Sequence, residues 1–368
     1  MVELLYRPTW AEISLGAIRK NLKRLKTLAA PAELLFIVKA NAYGHGATAV
    51  AKMAEREKLI SYLGVSSVEE GAALRKSGIR LPILVLGSLY PFRTIIAAIR
   101  HRLTITVASP DMARQLIQAA DKLKKHVSCH IKLETGMGRI GARRPAAIRI
   151  YKMLSHSEYV HIDGIYTHFS SAGLDTEYTQ RQLHIFQETK KELENIGQRS
   201  LLCHISATAG LLNCPEAKFD IVRPGIASYG LADGFTPALT WKSRIVFIKN
   251  VREGTSISYN RTFIAPRPMR IATLPVGYAD GYRRAFSNRS EVLICGRRCR
   301  ITGMVTMDMI MADITDVPEA RIGTIAVLLG KQGNEEITAD ELAEKAGTIS
   351  YEIFTGISER VPRIYKDN

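Results

Sequence analysis

Residues 34–46 read LLFIVKANAYGHG, and this stretch indicates the fold. The apolar, β-branched run at 34–39 has the length of a buried strand and ends in Lys39. Alanines and glycines follow, and an amphipathic segment at 47–58 comes next. A buried strand, a short loop and an amphipathic helix form one unit of a parallel α/β fold.

The same unit recurs along the first part of the chain. Seven further strands are predicted, at 61–65, 82–86, 103–107, 127–133, 160–167, 201–205 and 219–223. The helices between them are predicted at amphipathic segments such as 47–58, 67–77, 110–125, 144–155 and 178–197. A doubly wound open sheet shows the same alternation, but eight strands within about 200 residues favour a (β/α)8 TIM barrel.

The pattern changes near residue 235. Helical periodicity is largely absent until 338–347, and strands are predicted at 243–251, 270–275, 291–295, 299–305, 309–314 and 323–329. Turn residues separate these runs, which favours a mainly antiparallel β domain. We therefore predict an α/β fold with an N-terminal barrel at 1–235 and a C-terminal β domain at 236–368. The alternating segment 10–15 is a candidate to pair with the C-terminal domain.

Composition limits the partners. The chain of 368 residues has 51 Lys and Arg against 35 Asp and Glu, a net charge of +16. These basic residues are dispersed and lack interleaved aromatic residues, which predicts a solvated surface and no nucleic-acid partner. Five scattered cysteines favour free thiols over a disulfide framework or a metal site. The N-terminus lacks a signal-peptide pattern, and no apolar run approaches ~18 residues, so we expect no membrane partner and a cytoplasmic location.

Chemically versatile residues stand where the predicted barrel strands end, the edge that carries the active site in barrel enzymes. Each alone is ordinary, since a strand-end lysine is usually solvated and a lone histidine usually structural. Together they suit an aldehyde cofactor with a phosphate. A lysine can form a Schiff base, a histidine can stack on a ring, and backbone N–H groups can bind the phosphate. The residues are Lys39, Lys132, Arg139, His168, His204, Thr208, Arg223, Gly225 and Ile226.

These residues fall within motifs of a known family. VKANAYGHG at 38–46 resembles the pyridoxal-phosphate lysine motif of the alanine racemases. The resemblance runs along nearly the whole chain, in the order and spacing of that family. The further segments are KLETGMGRIG at 132–141, DGIYTHFSSA at 163–172, DIVRPGIASYG at 220–230, ISYNRTF at 257–263, LPVGYADGYRR at 274–284, ITGMVTMDM at 301–309, ITADELAEKAGTISYE at 337–352 and ERVPRIY at 359–365.

The resemblance implies pyridoxal 5′-phosphate held by Lys39 and racemisation of alanine by two acid/base groups on opposite faces of the substrate Cα. Lys39 is implied to serve the D-alanine proton and Tyr259 the L-alanine proton. His168 or His204 is the expected imidazole that assists Tyr259. The lysine needs a pKa lowered by burial and by nearby positive charge. The family forms a head-to-tail homodimer, so Tyr259 is expected to act in the partner's barrel.

The resemblance also implies the residues that surround the cofactor. Arg223 is implied to face the pyridine nitrogen, where it can only donate and leaves that nitrogen unprotonated. Arg139 and the backbone N–H of Met307 from the partner subunit are implied to meet the substrate carboxylate. A carbamate on Lys132 would orient Arg139. His168 is implied to stack on the ring, and the implied phosphate ligands are Tyr43, Thr208, Gly225, Ile226 and Tyr351.

Bulky rings are implied to keep the site small. Tyr278 and Tyr282 of GYADGY are expected to line its mouth and to exclude larger amino acids. Asp308 follows Met307 as a supporting residue. The sequence departs from the family at Asn260, where glycine is common, and this bears on the geometry of the turn after Tyr259.

Other functions fit these residues less well. A broader-specificity small amino-acid racemase shares the fold, but such enzymes often carry a signal peptide. A barrel decarboxylase needs a carboxylate at the pyridine nitrogen, where this chain has Arg223. A non-catalytic pyridoxal-phosphate-binding protein usually lacks the C-terminal β domain and a counterpart of Tyr259. We therefore expect an isomerase that supplies D-alanine for peptidoglycan synthesis.

Overall fold

The computed structural model describes residues 6–198 and 200–367. Contacts divide the chain into two compact units. The larger unit contains residues 19–42 and 47–235, and the smaller one combines the chain up to residue 18, the segment 43–46 and the chain from residue 236 onward. The sequence pattern gives no sign that 43–46 belongs with the C-terminal part.

Eight parallel strands form the sheet of the larger unit. Each of the first six pairs with the next in chain order, and the first also pairs with the eighth. Bonds from Asp220 N to Cys203 O (3.1 Å) and from Arg223 N to Ser206 O (2.8 Å) join the last two and close the barrel. The predicted (β/α)8 barrel is therefore confirmed. The strands are Glu33–Ile37, Tyr62–Val65, Ile83–Val85, Thr104–Val107, Val127–Lys132, Val160–Tyr166, Leu202–His204 and Ile221–Val222.

Several helices before residue 235 begin at caps that the sequence encodes. Ser67, Ser109 and Asp175 each accept a hydrogen bond from the backbone N–H three residues ahead. Each cap satisfies a donor that the first helical turn leaves free. None of the helices in the described ranges is long and apolar enough to span a bilayer. The helices are Leu15–Ala29, Ala47–Arg56, Val68–Lys76, Phe92–Arg100, Pro110–Leu123, Arg144–Ser155, Thr176–Gly197 and Thr208–Asn213.

Strands dominate the smaller unit. Its largest sheet has the spatial order Arg297–Arg300, Glu291–Ile294, Ile325–Gln332, Leu239–Arg244, Thr9–Ser14 and Arg363–Lys366, with Glu335–Ile337 beside Ile325–Gln332. Two further sheets are formed by Phe247–Val251, Met269–Leu274 and Ile310–Asp313, and by Ser256–Ile257 and Phe263–Ile264. These pairs are antiparallel except Thr9–Ser14 with Arg363–Lys366. The mainly antiparallel domain is confirmed, and the segment 10–15 pairs within it.

Two predicted strands differ from the structure. The run 243–251 is two strands, because its first residues belong to the largest sheet and Phe247–Val251 to the second. The run 299–305 ends at Arg300, and the chain turns at Gly303, which has a φ of 81°. The helix predicted at 338–347 is found at Ala339–Ala346, and a short helix at Ser350–Thr355 follows it.

Candidate active site

Lys39 follows the first barrel strand and leads into a left-handed turn. Residues Ala40 to Tyr43 all have φ between 50° and 55°. That conformation costs an L-residue about 1–2 kcal/mol. The turn therefore needs bonds from elsewhere in the chain to hold it.

Glu70 supplies the bond that holds the first residue of the turn, and Ser66 in turn fixes the Glu70 carboxylate. Its Oε1 accepts from the Ala40 N–H at 2.6 Å, and its Oε2 accepts from the N–H and hydroxyl of Ser66 at 2.7 and 2.9 Å. Asn41 Oδ1 accepts from the Ala47 N–H at 2.8 Å. The main chain directly after the lysine is fixed in this way. Sequence reasoning missed Glu70 because it lies 30 residues from Ala40.

The segment 43–46 packs within the C-terminal unit. Gly44 has a φ of 80°, and a Cβ there would overlap the carbonyl oxygen of Phe354, so this position needs glycine. The rings of Tyr43 and Tyr351 lie 6.0 Å apart. Burial raises the pKa of both phenols, which keeps them protonated donors.

Positively charged side chains crowd the strand ends of the barrel. Burial and the charge of Arg139 lower the pKa of Lys39, against the opposing charge of Glu70. Burial, and then the charges of Arg139 and Arg223, lower the pKa of Lys132 to about 8. The cluster therefore favours anionic ligands, and both lysines lose a proton more readily than a surface lysine does.

Arg223 is held by four acceptors. Its Nη1 donates to Nδ1 of His204 at 2.7 Å. Its Nη2 donates to the carbonyl oxygens of Thr167 at 2.7 Å and Ile205 at 2.8 Å, and Nδ1 of His168 lies 3.2 Å from the same nitrogen. Burial lowers its pKa to about 10, so it stays charged at neutral pH. None of these four bonds uses Nε.

His168 and His204 have different surroundings. Burial, and then the charge of Arg223, lowers the pKa of half-buried His168 to about 3, so its imidazole is neutral. His204 is fully buried. Its Nδ1 accepts from Arg223, and its Nε2 lies 2.8 Å from Nδ1 of His130. Because both of its ring nitrogens have partners, His204 is not free to assist Tyr259. His168 is therefore the remaining candidate of the two imidazoles.

The backbone after the eighth strand converges on Thr208. Its Oγ1 accepts from the N–H of Gly225 at 3.3 Å and from the N–H of Ala227 at 3.4 Å. Ile226 lies between them and begins a 3₁₀ turn. A hydroxyl with adjacent N–H groups at the start of a turn is a donor set that suits a phosphate. The structure thus brings together Thr208, Gly225 and Ile226.

Arg139 follows a loop that a second carboxylate holds. Glu134 accepts from the N–H of Gly136 at 2.6 Å and from the N–H of Gly138 at 3.0 Å. The bonds fold the glycine-rich loop back on Glu134 and set the position from which Arg139 extends. Sequence reasoning missed Glu134, although a carboxylate just before alternating glycines is a local signal for such a loop.

Tyr259 lies in the C-terminal unit on the short 3₁₀ turn Tyr259–Arg261, and its side chain is 69% exposed. Ser258 and Asn260 on either side have φ of 67° and 60°. Asparagine adopts this region more readily than most side chains, which explains how Asn260 replaces glycine here. Ser258 Oγ donates to the Met304 carbonyl at 2.7 Å and anchors the turn.

Asp308 supports the loop that carries Met307. Its carboxylate accepts from Nη2 of Arg360 at 2.7 Å, and its carbonyl accepts from Nη2 of Arg7 at 3.3 Å. The same Arg7 group donates to buried Asp280 at 2.7 Å. Met307 itself is 53% exposed. The loop is therefore fixed at its charged residue while the methionine stays accessible.

The two tyrosines expected at the mouth differ in burial. Tyr278 is partly exposed, whereas Tyr282 is fully buried. The Tyr282 ring lies edge-on to Trp241 at 5.9 Å and to Phe286 at 4.8 Å. A core ring cannot exclude substrates, so the prediction for Tyr282 is wrong. Gly281, with a φ of 103°, turns the chain between the two tyrosines.

These observations define a class of protein. The chain is a (β/α)8 barrel with a C-terminal β domain, and its strand ends carry a lysine of lowered pKa, a buried arginine and an anion-binding cradle. Barrel enzymes place their active sites at this edge.

Comparisons with known proteins identify the family. Residues 13–233 match the family model of the alanine racemase N-terminal domain, and residues 238–365 match that of the C-terminal domain. An alanine racemase of Symbiobacterium thermophilum is 45% identical over 368 residues, which cover 98% of this chain and 97% of that protein. One of Halothermothrix orenii is 42% identical over 371 residues, with coverage of 98% and 97%.

Solved structures of alanine racemases support the same family. An alanine racemase of Clostridium difficile 630 superposes with a TM-score of 0.93 at 36% identity, covering 99% of this chain and 97% of that one. The alanine racemase of Bacillus anthracis with bound L-Ala-P gives 0.92 at 38% identity, with coverage of 99% and 96%. The chain belongs to the alanine racemase family, as the sequence motifs predict.

Proposed function

We propose that this protein interconverts L-alanine and D-alanine with pyridoxal 5′-phosphate held at Lys39. The observation that carries the proposal is that the strand ends of one barrel hold both that lysine, whose pKa is lowered, and Arg223, a cation fixed by its hydrogen-bond acceptors. A lysine in this state gives up its proton more readily than a surface lysine, so it can react with an aldehyde and can exchange protons.

The residues present fit this cofactor. The Lys39 amine would hold its aldehyde carbon. The Thr208 hydroxyl and the N–H groups of Gly225 and Ile226 would hold its phosphate, since the Gly225 N–H already lies within hydrogen-bond distance of that hydroxyl and Ile226 follows it in the turn. The neutral His168 ring would stack on it. When bound, the cofactor would withdraw electrons from the substrate Cα and so acidify the Cα proton.

Arg223 would hold the ring nitrogen without protonating it. A guanidinium has only donors, and the four bonds that fix it leave Nε–H available. By leaving the ring nitrogen unprotonated, Arg223 would favour return of the proton to Cα over side reactions. Arg139 would bind the substrate carboxylate. A carbamate on Lys132 stays a prediction that its pKa of about 8 supports, because only the neutral amine adds to carbon dioxide.

Two groups would serve the two faces of Cα. Lys39 would exchange the proton of the D-alanine face. The opposite face would be served by Tyr259 of the partner subunit, since Tyr259 is largely exposed on its own chain. Nδ1 of His168 faces Nη2 of Arg223 at 3.2 Å, and because a guanidinium has no acceptor, the His168 proton would be on Nε2. That N–H can donate to the phenolate oxygen and lower the cost of removing the Tyr259 proton.

A second copy of the chain is the partner we propose, in a head-to-tail homodimer. The exposure of Tyr259 and Met307, the two residues proposed to complete the partner's site, supports it. Met307 of the partner subunit would donate its backbone N–H to the substrate carboxylate. The exposed residues include Phe247, Tyr259, Ile264, Met307, Met309 and Ile349.

Hydrogen exchange in D2O tests the reaction. Protein loaded with pyridoxal phosphate is incubated with L-alanine, chiral chromatography follows D-alanine, and NMR follows the Cα proton. D-alanine with deuterium at Cα is the expected result. Exchange without D-alanine would mean that the second face is unserved. No exchange with any small L-amino acid, despite bound cofactor, would reject the proposal.

Matched variants test the two residues. Lys39→Ala and Tyr259→Phe should each abolish racemisation. Lys52→Ala, at an exposed lysine of the next helix, and Tyr90→Phe, at an exposed tyrosine, should keep it. Loss of activity in the controls as well would point to a general defect and count against the assignment.

Mixing the two inactive variants tests the shared site. Lys39→Ala and Tyr259→Phe chains, unfolded and refolded together, form mixed dimers in which one site has both intact groups. About a quarter of wild-type activity should return, since half the dimers are mixed and one site in each is complete. If each site uses its own chain's Tyr259, nothing returns.

Further aspects of the function stay predictions. The roles of Tyr43 and Tyr351 at the phosphate rest on the resemblance alone. Exclusion of larger amino acids by Tyr278 would be tested by running the assay with L-serine beside L-alanine, which also tests a broader-specificity racemase. We propose that the D-alanine serves peptidoglycan synthesis. The cytoplasmic location is also a prediction, to be checked by cell fractionation.

A further inference from the structure

Two buried histidines lie end to end behind Arg223. His130 is on the fifth barrel strand and His204 on the seventh, and Nδ1 of His130 lies 2.8 Å from Nε2 of His204. Nδ1 of His204 in turn lies 2.7 Å from Nη1 of Arg223. Gly164 on the strand between them makes room, because a Cβ there would lie 3.0 Å from the His130 ring. The three side chains form one continuous chain of hydrogen bonds.

Only one direction of hydrogen bonding is consistent with all three side chains. A guanidinium can only donate, so His204 accepts at Nδ1. A neutral imidazole that accepts at one nitrogen has its proton on the other, so His204 donates from Nε2 to His130. Burial and the charge of Arg223 lower the pKa of both imidazoles, that of His130 to about 4, and keep them neutral.

The plane of His204 is fixed as well. Its ring stacks on Tyr166 with centroids 4.7 Å apart and an angle of 8° between the planes. Tyr166 Oη is held in turn by Thr106 Oγ1 at 2.7 Å. The ring therefore cannot tilt to find another partner, and its tautomer alone decides whether a lone pair or an N–H faces Arg223.

We propose that His130 is a positioning residue for Arg223. As the acceptor of the His204 Nε2–H, it selects the His204 tautomer whose Nδ1 lone pair receives Nη1 of Arg223. Without that acceptor, the other tautomer becomes competitive and points an N–H at the arginine, which must then turn away from its place. The inference rests on the proposed function only in that Arg223 is taken to face the cofactor ring nitrogen.

Two variants of His130 separate hydrogen bonding from volume. His130→Leu fills similar space without an acceptor, and His130→Asn places an amide oxygen near the position of Nδ1. His184→Leu, at an exposed histidine, is the control. The tautomer of His204 is read by 15N NMR of the histidine-labelled holoenzyme, with His204→Asn used to assign its signals.

The wild-type protein should show His204 protonated at Nε2 only. His130→Leu should change this protonation pattern. It should also weaken cofactor retention, measured by absorbance after dilution, about tenfold, which corresponds to the loss of one hydrogen bond. His130→Asn should restore both readouts. A wild-type His204 protonated at Nδ1 would overturn the proposal, even if the leucine variant fails to fold. So would equal retention in the leucine and wild-type proteins, or an asparagine variant as weak as leucine. The tautomer is measured without substrate, so a protein that fails to racemise alanine would still test it.

Discussion

Replacing Glu70 by alanine should loosen the main chain that follows Lys39. The Glu70 carboxylate accepts from the Ala40 N–H at 2.6 Å and from the N–H and hydroxyl of Ser66 at 2.7 and 2.9 Å. Ala40 opens the left-handed turn, each residue of which costs about 1–2 kcal/mol. The variant removes three bonds to a charged acceptor and leaves the unfavourable backbone conformation in place.

The structure sets the size of the effect. A bond to a charged group contributes about 1.5–3 kcal/mol when its partner is left unpaired in the interior. Glu70 is half-buried, so water can hydrogen-bond some of the groups that the variant leaves unpaired, which reduces the loss. We therefore expect a loss of about 2–3 kcal/mol in the free energy of unfolding. For a unit of this size that corresponds to a fall of about 4–12 °C in Tm.

Glu69→Ala is the matched control. Glu69 and Glu70 both lie in the first turn of the helix Val68–Lys76, so each variant loses the same favourable interaction with the helix dipole. Urea unfolding followed by intrinsic fluorescence gives the two free energies, and absorbance gives cofactor retention. Equal midpoints for the two variants would refute the reasoning. A lower midpoint with normal cofactor retention would show that the turn stabilises the fold but is not needed to position Lys39 for the cofactor.

Other consequences follow from the same geometry. Thr208→Val should weaken cofactor retention about tenfold and Thr208→Ser should not, since only valine removes the hydroxyl, as absorbance after dialysis will show. Asn260→Gly should keep activity and stability, whereas Asn260→Val should lose about 1–2 kcal/mol in urea unfolding because β-branched residues avoid positive φ. The pKa of His130 is about 4 and that of His168 about 3, against about 6.5 unfolded. The unfolded chain therefore binds more protons between pH 6.5 and 4, so stability should rise with pH across this window, by about 3 kcal/mol for His130 alone, and urea midpoints that do not change with pH would contradict this.

The barrel could be predicted because its strands are short, apolar and separated by amphipathic helices, so each unit is recognisable on its own. The C-terminal unit was harder, since the chain leaves one sheet for another at 245–246 without a change in composition. The buried ring of Tyr282 could not be placed either. Whether a tyrosine faces a mouth or a core depends on contacts with Trp241 and Phe286, which local spacing does not contain.

The left-handed turn after Lys39 shows the same limit at the site itself. Lys-Ala-Asn-Ala-Tyr contains good helix formers, and nothing local predicts positive φ at four consecutive residues. The conformation depends on Glu70, which comes from the next unit of the barrel. The sequence motif thus locates the lysine, but the tertiary fold determines how it is presented.

The balance of charge at the site depends on which groups its carboxylates bond to. Glu70 and Glu134 lie close enough to oppose the lowered pKa of Lys39 and Lys132. Glu70, however, accepts from the backbone N–H groups of Ala40 and Ser66, and Glu134 accepts from backbone N–H groups of its glycine-rich loop. Both carboxylates are therefore hydrogen-bonded to backbone donors, and in the part of the chain that the structure describes neither forms an ion pair with the cationic side chains. The lysines and arginines stay in excess, and their mutual repulsion makes each lysine easier to deprotonate. A phosphate or carboxylate that entered the site would relieve this repulsion. Under the proposed function, the same excess charge would favour the anionic ligands and help Lys39 to exchange a proton.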